Sequence, residues 1–155
     1  MTTFNRFVGI AATAALLCTA NPARAQTADT AEQLRRLDIM LMVTALRCRK
    51  GADNFQPDYE RFSTTHLATM NTAARQMKAG MVKRLGAKGA ERQLDRISVG
   101  MANDYGNGHP WLGCAELREV TCDLAKERDA VKLAAAADEL LSMKPTGQLA
   151  RLARR

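Results

Sequence analysis

Apolar residues recur at helical spacing along most of this chain, and glycine and proline residues divide the pattern into separate helices. The first predicted helix runs from Thr30 to about Lys50, and Gly51 follows it at a position suited to a helix stop. Thr30 and Gln33 have the spacing of a capping box, which favours a helix start there. The predicted stripe on its buried side consists of Leu34, Leu37, Met40, Leu41, Thr44 and Cys48.

Three further breaks predict three or four more helices. Gly86 and Gly89 mark one turn, and residues 106–110 form the clearest break in the chain. Residues 127–129 mark a bend or a restart. The predicted helices cover about residues 57–85, 90–104, a segment that starts near Pro110 or Trp111, and 130–143.

The composition favours the same fold class. Aromatic residues make up 5% of the chain, no run of β-branched residues alternates with polar ones, and most residues are good helix formers. We therefore predict an all-α protein, a four- or five-helix bundle with one disulfide, preceded by a cleavable N-terminal signal peptide.

The signal peptide is predicted from the first 25 residues. Arg6 precedes an apolar run over residues 7–20, and Ala23 and Ala25 then place small side chains where a signal peptidase reads them. We expect cleavage before Gln26. Since the apolar run is shorter than a membrane span, we expect a periplasmic or secreted protein with no transmembrane segment after cleavage. The predicted parts are a signal peptide (1–25), a helical domain (26–144) and a basic flexible tail (145–155).

Three cysteines follow the leader, so an oxidising compartment would leave one unpaired or in an intermolecular bond. Cys114 and Cys122 should share a helix, which would hold them about 12 Å apart, too far for a disulfide. Cys48 should therefore pair with one of them. The apolar face of that helix lies nearer Cys114, which favours the Cys48–Cys114 bond and leaves Cys122 free.

The formal net charge of +7 is distributed unevenly. Such an excess attracts polyanions through its field, although it also suits a solvated helix face. In an exported protein we expect the partner to be an anionic envelope polymer, a lipid head group or an envelope protein, with no specific nucleic acid. The oligomeric state stays open. The candidate polyanion face consists of Lys83, Arg84, Lys88, Arg92 and Arg96.

The 105–111 segment is the best candidate for a ligand loop. Its glycines allow close backbone approach, His109 can titrate or ligate, and Trp111 offers a flat ring for stacking. The candidate ligand residues are Tyr105, Asn107, His109 and Trp111. The alternative is a tight turn between helices, with Trp111 packed inward.

The residues also suggest two other functions. Soft thioether and imidazole ligands suit copper, and the candidate set is His66, Met70, Met77 and Met81. A small cell-wall hydrolase would use Asp53, Asp58 or His109, with Glu60 in the same carboxylate cluster. Dinucleotide-binding, P-loop and HExxH motifs are missing from the sequence, and we expect no cofactor and no catalytic centre.

Three motifs carry a resemblance that covers most of the mature chain. They are Ile39-Met-Leu-Met-Val-Thr-Ala-Leu-Arg-Cys48-Arg49, then Asp58-Tyr59-x-x-Phe62, then Tyr105-Gly-x-Gly-His109-Pro110-x-x-x-Cys114. This pattern resembles a group of small exported helical proteins from alphaproteobacteria. The resemblance implies export, supports the Cys48–Cys114 pairing because both cysteines lie in shared motifs, and transfers no functional residue. The predicted function is a non-catalytic binding or accessory component of the cell envelope.

Overall fold

The structure is a computed structural model that describes residues 22–142, with side chains from residue 28 onward. This part of the chain is all-helical and contains no strand, which confirms the predicted fold class. The predicted tail and nearly all of the predicted signal peptide lie outside the described residues. The helices are α1 (Pro22–Cys48), α2 (Gln56–Asp104), α3 (Cys114–Leu124) and α4 (Ala130–Ser142).

Helix α2 is a hairpin of two helical arms, residues 56–85 and 87–104. Gly86 interrupts it with φ +68° and ψ 171°, in the left-handed region that favours glycine. The arms then run back along each other, since Lys78 on the first arm forms an ion pair with Glu91 on the second at 3.3 Å. The turn that Gly86 and Gly89 predicted is therefore confirmed, although the second arm begins at residue 87 rather than 90.

The core lies where α1 packs along α2 and also contacts α3 and α4. Phe55 and Phe62 are fully buried beside the predicted α1 stripe, and α3 and α4 close the core from the other side. The fully or almost fully buried members include Leu37, Met40, Leu41, Phe55, Phe62, Leu117 and Leu133. Burial of this stripe, more than the propensity of any one helix, holds the bundle together.

The predicted start of α1 at Thr30 is wrong, because the helix begins at Pro22. Proline is well tolerated in the first turn, and the alanine-rich residues that follow it are good helix formers. Thr30 therefore lies inside a helix that is already formed, and its spacing to Gln33 does not mark a helix start.

The end of α3 is held by side chains from the first arm of α2. His66 is buried and places Nε2 2.8 Å from the carbonyl oxygen of Leu124, and Thr65 donates to the carbonyl of Ala125 at 3.3 Å. These bonds add donors to carbonyl groups at the helix end, where Leu124 also accepts the N–H of Glu127 at 3.2 Å. The predicted break near residues 127–129 is confirmed, because α3 ends at Leu124 and the chain is non-helical until α4 begins at Ala130.

Within residues 22–142, no helix combines the length and the apolar character needed to cross a bilayer.

Candidate functional site

The loop of residues 105–113 connects α2 to α3 and is built on a tight turn. The N–H of Gly108 donates to the carbonyl of Tyr105 at 2.8 Å, and Gly108 has a φ of +99°. A Cβ atom at this glycine would lie 3.5 Å from Nε of Arg47, so the α1 side chain packs closely over the turn. Arg47 also donates to the carbonyl of Gly106 at 3.4 Å.

His109 uses both ring nitrogens to hold this loop in place. Nδ1 accepts the backbone N–H groups of Trp111 and Leu112 at 3.2 and 3.0 Å, and Nε2 donates to the carbonyl of Leu140 on α4 at 3.2 Å. The ring is therefore the neutral tautomer with its proton on Nε2. The predicted helix start near residues 110–111 is wrong, because Gly113 has an extended backbone (φ −83°, ψ −177°) and α3 begins after it at Cys114. The N–H of Gly113 donates to Glu116 at 3.0 Å, as expected at a helix start.

The disulfide anchors the far end of the loop. Cys48, the last residue of α1, is bonded to Cys114, the first residue of α3, with their Cα atoms 5.8 Å apart. This confirms the predicted pairing, and Cys122 is the free cysteine of the described residues. A cavity of about 240 Å³ lies between the disulfide, the loop and Arg47.

Only part of the candidate ligand loop faces outward. Tyr105 is 9% exposed and belongs to the core, and both His109 nitrogens are engaged within the protein. Asn107 is exposed and Trp111 is 40% exposed. The tight turn of the alternative interpretation is therefore present, but Trp111 is not packed inward. Of the four candidates, two are structural and two remain accessible to a partner.

Protonation of His109 should weaken the fold. Burial is the main cause that lowers the pKa of His109 below its ordinary 6.5, while the bond to Leu140 acts in the opposite direction. The unfolded chain therefore binds this proton more readily, and the stability from His109 is present above pH 6.5 and lost as pH falls through the lower folded pKa. We expect the free energy of unfolding, measured with urea between pH 8 and 5, to fall over this window.

The control is His109→Asn, whose side-chain oxygen can accept from the loop N–H groups but does not titrate. At pH 8 this variant should be less stable by about 1 kcal/mol, because the bond to Leu140 is lost. The difference should shrink as the pH falls. A constant difference between pH 8 and 5 would show that His109 titrates alike in the folded and unfolded chains.

The candidate copper ligands do not converge on one point. They follow one another along the first arm of α2, where His66 and Met81 are separated by about 22 Å of helix. His66 contacts the Phe62 ring at 4.9 Å between centroids, and its Nε2 is bonded to the Leu124 carbonyl. One ion could not contact all four residues in this arrangement.

The carboxylates of the hydrolase hypothesis are each engaged with a different partner. Asp53 lies 3.6 Å from Arg118, and Asp58 forms an ion pair with Arg61. The amide of Gln56 donates to Glu60 at 3.3 Å. Among the described residues no group of three or more His, Cys, Asp or Glu side chains could hold a metal ion.

A half-buried polar network was not anticipated from the sequence. Asp38 on α1 accepts from the hydroxyl of Tyr59 at 3.1 Å and from Arg35 at 3.3 Å, and Arg35 also reaches Ser98 at 3.4 Å. Burial raises the pKa of Asp38, and burial followed by the Asp38 charge raises the pKa of Tyr59 to about 12. Tyr59 is thus a neutral donor at physiological pH, and the network ties α1 to both arms of α2.

The end of the α2 hairpin carries an accessible cluster of positive charge. The five residues of the candidate polyanion face are all exposed, and none of them forms an ion pair within the part of the chain that the structure describes. The nearby acids are Glu91, which pairs with Lys78, and Asp95. Between residues 82 and 90 the chain has three cations and no acid. We call residues 82–90 the hairpin end.

Comparison of the chain with protein-family models, with curated proteins and with solved structures gave no match. Its function is therefore inferred from the arrangement of its own residues, a disulfide-linked helical bundle with a basic hairpin end.

Proposed function

We propose that this protein is an exported, non-catalytic component of the cell envelope that binds anionic partners through the hairpin end. The observation that carries the proposal is the group of exposed cations Lys83, Arg84 and Lys88, which form no ion pair with any residue that the structure describes, with no acid between residues 82 and 90. Such a group raises the local concentration of polyanions through its field and needs no shaped pocket.

The other surfaces support a binding role less directly. In the 105–113 loop, Tyr105 and His109 serve the fold, which leaves the small accessible pair Asn107 and Trp111. Export agrees with the predicted leader and with the Cys48–Cys114 bond, since stable disulfides are typical of oxidising compartments. The hairpin end is therefore the surface on which a binding function is best placed.

The test is retention on immobilised heparin, a soluble polyanion, as a function of salt. The variant Lys83→Gln, Arg84→Gln, Lys88→Gln removes the three cations of the hairpin end. It should elute at clearly lower salt than the wild type, because binding through charge is screened by salt.

A matched control removes three exposed cations elsewhere, which form no ion pair among the described residues. It combines Arg49→Gln, Lys50→Gln and Arg128→Gln and therefore has the same net charge. It should elute close to the wild type. Equal elution of the two triple variants would mean that total charge, rather than the hairpin end, sets the binding, and the proposal would be overturned.

A further inference from the structure

We infer that the anionic partner of the hairpin end is a lipid bilayer surface, into which Val82 and Leu85 insert. This inference rests on the proposed function and names its partner. It is carried by the juxtaposition of exposed aliphatic side chains with unpaired cations on the same short segment.

Val82 and Leu85 are each 39% exposed, although both are aliphatic. They are three residues apart on the first arm of α2 and therefore lie on the same side of the helix. Aliphatic groups on this side gain nothing from a hydrated polyanion, whereas they lose contact with water when they enter the acyl boundary of a bilayer. Their exposure thus favours a lipid surface over a soluble polymer.

The cations of the hairpin end lie beside the aliphatic pair, where they could contact the phosphate groups of a bilayer. Around the helix, Lys83, Arg84 and Leu85 lie about 100°, 200° and 300° from Val82. Lys83 is therefore about 100° from Val82, and Arg84 is about 100° from Leu85, so one cation lies on each side of the aliphatic pair. Long basic side chains can extend their charged ends to phosphate groups while the helix backbone sits lower in the interface. Lys88 adds a third cation at the start of the second arm.

The position of the hairpin end makes it accessible to a flat surface. On the first arm the main core extends to Ala73, with Met77 packed against it, and residues 82–88 are all exposed. The first arm carries this end about 45 Å from Gln56, which lies near the disulfide end of the bundle. A bilayer could therefore contact the hairpin end without disturbing the core. Contact would be interfacial, since no described helix can span a membrane.

The experiment measures partitioning of the full chain onto vesicles of equal parts phosphatidylglycerol and phosphatidylcholine. The aliphatic variant is Val82→Ser, Leu85→Ser, and its matched control is Leu67→Ser, Val131→Ser, which removes the same two residue types from sites that are 57% and 77% exposed. Each variant keeps the same N-terminus, so differences between them report on the substituted sites alone.

We expect the aliphatic variant to partition roughly tenfold more weakly than the wild type, with the control within about twofold. The triple charge variant of the hairpin end should lose about a hundredfold, since each basic residue contributes about a factor of five near an anionic surface. Heparin retention of the aliphatic variant should be unchanged. Equal partitioning of the aliphatic variant and its control would overturn the bilayer inference and leave polyanion binding intact. If the triple charge variant and its matched control also eluted alike from heparin, both the bilayer inference and the proposed function would be overturned.

A second readout locates the inserted residues. In vesicles with brominated acyl chains, the fluorescence of Val82→Trp in a Trp111→Phe background should be strongly quenched. Trp111 in the otherwise unchanged protein should not be quenched, because it lies three residues from Cys114 at the disulfide end. The opposite pattern would place the membrane at the loop and refute the assignment.

Discussion

Replacement of both Cys48 and Cys114 by alanine should lower the free energy of unfolding by about 4 kcal/mol. The two residues are 66 positions apart, so the bond restricts a long loop in the unfolded chain. The bond joins the end of α1 to the start of α3, so its removal should disturb the folded state only where these two helix ends meet. Urea denaturation followed by circular dichroism measures the effect, and reduction of the wild type should give the same loss.

The control is Cys122→Ala, which removes the free cysteine of the described part of the chain and leaves the bond in place. Cys122 lies half-buried on α3, and we expect its replacement to change stability by less than about 1 kcal/mol. Mass mapping of the non-reduced protein should find Cys48 and Cys114 in one linked peptide pair. A double variant as stable as the wild type would show that the bond adds nothing to the fold.

The two ends of the bundle differ in the contacts that hold them. At one end the disulfide, the His109 bonds and the Arg47 contact fix a short loop against α1 and α4. At the other end Gly86 reverses the chain and leaves residues 82–88 outside the core. The rigid end orients α1 and α3, and the exposed end is free to contact a partner.

Local signals were sufficient to predict much of this fold. The period of the apolar residues placed the helices, and the spacing of Cys114 and Cys122 on one helix left Cys48 as the bridge partner, which the structure confirms. Glycine at position 86 predicted the turn, because the left-handed conformation found there is one that other residues rarely adopt.

The sequence predictions failed where a residue far along the chain determines the local structure. The helix start near Trp111 was wrong because the backbone stays extended to Gly113, and the His109 ring that holds Trp111 in the loop is bonded to Leu140, 31 residues away. The Asp38 network joins residues up to 63 positions apart, which no local pattern reveals. One signal was available, since Asp38 interrupts the apolar run around Leu37.

Replacement of His66 by leucine should lower the free energy of unfolding by about 1.5 kcal/mol. Leucine fills most of the same space but donates no hydrogen bond, so the buried carbonyl of Leu124 would lose its bond at 2.8 Å and keep only the N–H of Glu127 at 3.2 Å. The contact with the Phe62 ring would also change. Urea denaturation measures the loss, and hydrogen exchange should show faster exchange in α3 than in α1, because His66 holds the end of α3.

The matched variant is His66→Gln, whose terminal amide can donate to the same carbonyl. It should recover at least half of the stability that leucine loses, because it restores the second donor to the buried Leu124 carbonyl beside the N–H of Glu127. Thr65 bonds the neighbouring carbonyl of Ala125 in both variants and so does not distinguish them. If the leucine variant is as stable as the glutamine variant, packing against Phe62 rather than the hydrogen bond explains why a histidine is buried at this position.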